Sequence, residues 1–236
     1  TYPCRDAFRP EEAGNRASLP FSMKDLALPR EISALRKAGV ASFKIEGRKK
    51  NALYVAAATA YYRAILDGRP SAEISRMEQD VKTIFSRSWT TLYLNSTTNR
   101  DVCDTTMVGH RGAPVGRVLA VRRVTAQTTV LRLRLDRPLE KHDGLQLDLP
   151  AMGRPFGFPV DELLLLKGPD QRGKIVFEAP AGSVVEVPLP PETPAIPENA
   201  TVYCASSQDV KRRYRFPTPK PGEFRVRIPV DIVLTM

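Results

Sequence analysis

The chain has 236 residues, 42% of them hydrophobic and 26% charged, and Lys plus Arg outnumber Asp plus Glu by 36 to 26 for a net charge of +10. That length and balance fit one or two globular domains. No run approaches the roughly 18 apolar residues of a membrane span, and three scattered cysteines exclude a disulfide framework and suit a reducing, cytoplasmic home. Thr1-Tyr2-Pro3-Cys4 has neither the basic start nor the apolar core of a secretion signal. A start without Met is expected of a fragment or a trimmed chain.

Taken in chain order, residues 1–20 are polar and read as loop. Residues 21–26 suit a short strand. Pro29 fits a first helical turn and Gly39 the position just past a helix end, which predicts a helix over 29–38 with Ile32 and Leu35 on its buried stripe. Residues 40–46 alternate Val40, Ala41, Phe43 and Ile45 with Ser42, Lys44 and Glu46, the pattern of a strand. Gly47 and three cations follow, then an Ala-rich helix over 52–66. Ser71 is expected to cap a third helix reaching about residue 85, with Ile74, Met77, Val81 and Ile84 at helical spacing. One or two strand–helix units cannot close a barrel, so upstream units are expected to complete this part.

From Gly112 the pattern changes. Residues 115–124, 128–136, 144–149, 174–177, 184–187 and 201–205 are short strand-like runs separated by Pro and Gly turns, which predicts an antiparallel β-barrel or sandwich. Residues 206–222 read as a basic, proline-rich connector. Residues 224–234 alternate well enough to be the first strand of a further domain or an extra strand on the barrel.

Three groups of residues carry candidate chemistry. Glu46 and Arg48 stand where a strand gives way to a loop, the end at which parallel α/β folds place ligands and catalysis. A carboxylate and a guanidinium there can bind a small acidic organic molecule or position an acid–base group; an ion pair between strands is the other reading. Lys44 shares their face, and Tyr54 opens the following helix, where it could face the same pocket or the core. Lys211, Arg212, Arg213 and Arg215, with Lys220 beyond them and Tyr214 interleaved, suit phosphate contacts and base stacking in RNA, or a solvated linker. Arg117, Arg122, Arg123, Arg132 and Arg134 add cations on neighbouring strands. Asp101, Cys103, Asp104 and His110 match no standard zinc spacing and read as a polar loop. Two histidines, neither near a nucleophile elbow, give little support to a Ser–His–Asp hydrolase.

Lys24-Asp25-Leu26, the run Lys44-Ile45-Glu46-Gly47-Arg48, Tyr54-Val55 and the segment FSRSWTTLYL over 85–94 occur in an order that resembles the collagenase-like peptidase U32 family. Ser88 and Leu92 replace two glycines of that last segment. The resemblance covers roughly residues 1–110 and is looser beyond. It implies an α+β fold: the end of a TIM-like α/β barrel with a helical extension over 1–110, then an antiparallel β-barrel over 111–208, then the basic connector and a first strand of a further domain over 209–236. LEKHDGLQL, AGSVVEV and ENATVYCAS over 139–206 are similar at fold level to the second-domain barrel of translation elongation factors.

The family carries a peptidase label, and some members hydroxylate bases in tRNA or ribosomal RNA. The segment after Arg48, with its β extension, looks most like the ribosomal-RNA cytidine hydroxylation branch. The resemblance therefore implies RNA base hydroxylation by the full-length protein, dependent on prephenate and an iron–sulfur cluster, with RNA as partner and no membrane. Proteolysis and a non-catalytic RNA-binding barrel are the alternatives. Cys4 resembles a cluster ligand of the family, although Ala27 stands where several members have a further cysteine. Four thiolates are the usual requirement, so this chain alone is expected to hold no cluster and to be inactive.

Overall fold

The computed structural model describes residues 4, 6–9, 18–47, 50–105, 108–149, 152, 154–168, 173–214, 220, 222–223 and 233. The amino-terminal part runs β1(Asp25–Leu26), α1(Ile32–Lys37), α2(Ala52–Leu66), α3(Ser71–Ile84) and β2(Trp89–Thr90). Gly39 follows α1 with φ +94°, the left-handed backbone in which helices commonly end. Helix α2 starts where the Asn51 side chain accepts the Tyr54 N–H at 2.9 Å, a cap of the expected kind. Helix α3 begins one residue after Pro70, so Ser71 is its first helical residue and not its cap. Strands β1 and β2 pair in parallel, Asp25 opposite Trp89 and Leu26 opposite Thr90. The helices between them form the crossover that parallel pairing requires.

Residues 40–46 do not form the expected strand. The alternation is there, but among the described residues no ladder partner runs beside it, and the segment is largely exposed. The Val40 N–H donates to the Leu35 carbonyl at 3.1 Å, closing the end of α1 instead of joining a neighbouring strand.

The larger part is a sheet-rich unit: β3(Ala113–Arg123), β4(Thr129–Leu135), β5(Leu139–Glu140), β6(Gly144–Leu147), β7(Phe156–Pro159), β8(Leu164–Leu166), β9(Lys174–Ile175), β10(Glu178–Ala179), β11(Val184–Pro188) and β12(Thr201–Ser206). Eight of these hydrogen-bond in the order β7-β6-β12-β3-β4-β11-β8-β9, every pair antiparallel. The expected antiparallel strands are therefore present, but the expected closed barrel is corrected to an open sheet. Its end strands β7 and β9 are four and two residues long and do not pair with each other, while β5 and β10 form a separate ladder. The expected strand over 174–177 is split between β9 and the approach to β10.

Alternation along β3 and β4 turns Val115, Val118, Leu131, Leu133 and Leu135 inward, where they join Leu145, Leu147, Val185 and Val202 in one core. Each such side chain contributes about 1.5–3 kcal/mol when fully buried. A second core packs Ala57 and Tyr61 of α2, Val81 of α3, and Val210 and Tyr214. Val210 belongs to α4(Gln208–Arg213), a short helix inside the segment read as a connector; the Ser207 hydroxyl accepts the Val210 N–H at 3.4 Å and caps it. The expected strand over 224–234 lies outside the described residues except for Val233.

Candidate functional site

Three sequence motifs far apart in the chain meet around β1 and β2. Asp25 accepts from the Arg87 side chain at 2.7 Å and from the Arg87 backbone N–H at 2.9 Å. Tyr54 packs edge-on against Phe85 at 6.4 Å between ring centroids, and Lys50 places its ammonium over the Phe85 face, a cation–π arrangement. Burial, and secondarily the Asp25 carboxylate, hold the Tyr54 hydroxyl above its usual ionisation range.

Gly47 lies against this cluster: a Cβ built there would sit 3.8 Å from the Tyr54 ring and 3.7 Å from Val55. The Lys50 N–H donates to the Gly47 carbonyl at 2.8 Å and closes the turn. Glu46 immediately precedes Gly47 in the chain. Lys44 and Glu46 pair with each other at 3.0 Å, their side chains 85% and 72% exposed. They present a charged rim to solvent and not the interior wall of a strand. Arg48 lies outside the described residues.

The thiols do not converge. Cys4 is exposed, Cys103 is half-buried with its Sγ 3.6 Å from the Met23 sulfur, and Cys204 is buried. Burial pushes the Cys204 thiol up to about 12, well away from thiolate chemistry. Among the described residues no group of three or more His, Cys, Asp or Glu side chains is placed to hold a metal ion. These side chains do not by themselves fit the four thiolates of an iron–sulfur cluster.

The loop group at 101–110 is structural. Asp101 pairs with Lys24, and Asp104 with Arg111 at 3.0 Å. His110 Nδ1 accepts backbone N–H groups from Ser86 at 2.9 Å and Gly112 at 3.2 Å, while Nε2 meets the Ala205 carbonyl at 3.2 Å and the ring stacks on Phe85. This pattern fits the Nε2–H tautomer and ties the end of α3 to β12. Arg111 also donates to Asp148 at 2.5 Å and to Ser88 at 2.7 Å. Desolvation raises Asp148 above the usual carboxylate range, with Arg111 opposing it. The sequence carries no local signal of this network, because Arg111 and Asp148 lie 37 positions apart.

The basic segment also acts within the fold. Arg213 reaches both oxygens of Asp80, at 2.7 and 2.6 Å, and pairs with Asp209. Arg212 pairs with the buried Glu140 at 2.6 Å. Tyr214 is 8% exposed and donates its hydroxyl to Asp80 at 2.9 Å. Its ring presents no open face to a base, which corrects the stacking role expected of it. Lys211 remains exposed, and Arg215 lies outside the described residues.

Comparison with known proteins fits this arrangement of motifs. Residues 1–103 match Peptidase family U32. The chain is similar to the 23S rRNA 5-hydroxycytidine C2501 synthase of Escherichia coli strain K12, at 33% identity over 138 residues, 54% of this chain and 20% of that protein. It thus spans about a fifth of that relative's length. A crystal structure of the carboxyl-terminal domain of a protein described as a U32 peptidase, from Geobacillus thermoleovorans, is similar at a TM-score of 0.30 and 14% identity, over 38% of this chain and 89% of that one. No helix among the described residues is long and apolar enough to cross a membrane. The stretch that matches Peptidase family U32, residues 1–103, is the one that brings Asp25, Tyr54 and Arg87 together.

Proposed function

We propose that this chain is the carboxyl-terminal portion of a protein that hydroxylates a cytidine in ribosomal RNA. The observation that carries the reading is the 33% identity to an rRNA 5-hydroxycytidine synthase, which extends over 138 residues. A net charge of +10 suits a polyanionic substrate. In this reading residues 1–103 complete an α/β barrel whose other strands lie elsewhere in the full-length protein. Glu46 and Lys44 stand at its mouth, with Arg48 as the further cation of the site, and Tyr54 packs beside Gly47. Their charges orient an acidic co-substrate such as prephenate. Cys4 contributes one thiolate to an iron–sulfur cluster whose other ligands come from outside this chain, and the cluster supplies redox chemistry when bound. The RNA partner makes the cytoplasm the place of work.

Peptide hydrolysis is the second reading, favoured by the family's name. Its simplest serine form is poorly served here, because both ring nitrogens of His110 meet backbone groups. Purified full-length protein, incubated with ribosomal RNA lacking the modification, tests the two. Nucleoside mass spectrometry should find a cytidine that has gained one oxygen. Cleaved gelatin or peptide with unaltered RNA would instead favour the peptidase.

A further inference from the structure

The outer face of β3 and β4 carries an arrangement that stability alone does not favour. Arg117 on β3 lies directly opposite Arg134 on β4. Their strand neighbours Gly116, Val118, Leu133 and Leu135 are buried, so both arginines point outward, and both are exposed. Directly opposed residues hold their Cβ atoms only about 4.5–5.5 Å apart, and like charges in that relation are destabilising. Arg117 makes one long contact, to the Asn199 carbonyl at 3.4 Å. Among the described residues neither arginine forms an ion pair within 4.0 Å.

Two further arginines lie beside them. Arg132, opposite Ala120, and Arg122, opposite Val130, converge on one buried carboxylate, Glu186 on β11, at 2.9 and 3.0 Å. Glu186 neutralises one of these two charges. Among the described residues the face therefore sets Arg117, Arg134, Arg122 and Arg132 around the Glu186 carboxylate, on the centre of the sheet and not on a loop.

We infer that this face, centred on the Arg117–Arg134 pair, is the surface that grips the phosphate backbone of RNA. The inference rests on the RNA reading above and gives it a location. Guanidinium groups bind phosphate oxygens with two parallel donors, and a phosphate between Arg117 and Arg134 relieves the repulsion that the fold leaves in place. Contact of this kind is independent of sequence. It positions the RNA while the base is read elsewhere.

The test uses the full chain, a single-stranded ribosomal RNA fragment, and the Arg117→Gln/Arg134→Gln double variant. Losing two phosphate contacts should flatten the slope of log affinity against log salt by about 1.4, at ~0.7 per contact on a single strand. Thermal unfolding should be unchanged or shifted upward, because a like-charge pair has been removed; a purely structural pair would shift it downward. RNA binding by the wild-type chain with an unaltered slope in the variant would overturn this location and leave RNA hydroxylation standing. Failure of the wild-type chain to bind RNA, or binding to anionic phospholipid vesicles but not RNA, would overturn the inference. Hydroxylation by the full-length protein would separately decide the activity.

Discussion

Asp80 on α3 is 1% exposed, and Arg213 on α4 meets both of its carboxylate oxygens, at 2.7 and 2.6 Å. The two residues lie 133 positions apart and join the family segment to the end of the sheet-rich unit. Tyr214 completes the arrangement by donating to the same carboxylate. The burial of Asp80 gives this pair a larger role than a surface ion pair has, because a carboxylate taken out of water needs its partners.

Removing one side of that pair should be costly. Arg213→Ala leaves Asp80 buried with only the Tyr214 hydroxyl, and breaking a buried pair costs about 3–5 kcal/mol. The partial exposure of Arg213 puts the expected loss at the low end of that range. Urea unfolding should show a lowered midpoint, whereas Lys211→Ala, at an exposed position, should leave the midpoint where it was.

Alkaline pH should weaken the fold. Burial raises the hydroxyls of both Tyr61 and Tyr214, with Glu78 and Asp80 respectively adding to the shift. A group raised in the folded state contributes stability that is fully present below its unfolded value, near 10 for tyrosine. That stability declines as pH rises beyond it, because the unfolded chain releases protons that the folded one retains. Melting temperature should thus fall above about pH 10. In Tyr61→Phe and Tyr214→Phe the fall should be shallower.

Glu46 offers a clean separation of activity from stability. Its ion pair with Lys44 is exposed on both sides, and such pairs contribute little. Glu46→Gln should change stability by less than about 0.5 kcal/mol while abolishing hydroxylation by the full-length protein. Full activity in the variant would remove Glu46 from the site.

Leu92 stands where the resembling family segment has glycine, and its φ is +47°. A side chain in that left-handed region costs roughly 1–2 kcal/mol. Leu92→Gly should relieve it and, after the entropy cost of glycine, leave stability equal or higher by up to about 1 kcal/mol in chemical denaturation. A clear loss would mean that the Leu92 side chain is held by packing that outweighs the strain.

The local elements were largely legible in the sequence. Helix α2 spans the expected residues 52–66 because Asn51, an Ala-rich run and Asp67-Gly68 mark its ends locally. The strands from β3 to β12 followed from alternation and turns, apart from β5, β7, β8 and β10, which are too short or too evenly apolar to stand out. Residues 40–46 misled because alternation reports a pattern of faces, and a strand also needs a neighbour. The basic segment misled for the opposite reason. Positive charge and aromatic interleaving were visible, but the buried acids that claim them, Asp80 and Glu140, are supplied by α3 and β5 and look like ordinary surface carboxylates in sequence. The site motifs were legible as separate runs; their meeting through Asp25, Arg87, Tyr54 and Phe85 belongs to the tertiary structure.

The most direct measurement compares ribosomal RNA from cells that carry the full-length protein with RNA from the same cells after its deletion. Nucleosides are resolved by liquid chromatography and mass spectrometry. 5-Hydroxycytidine should disappear on deletion, return with the wild-type protein, and fail to return with Glu46→Gln. Undiminished 5-hydroxycytidine in the deleted cells would contradict the proposed activity.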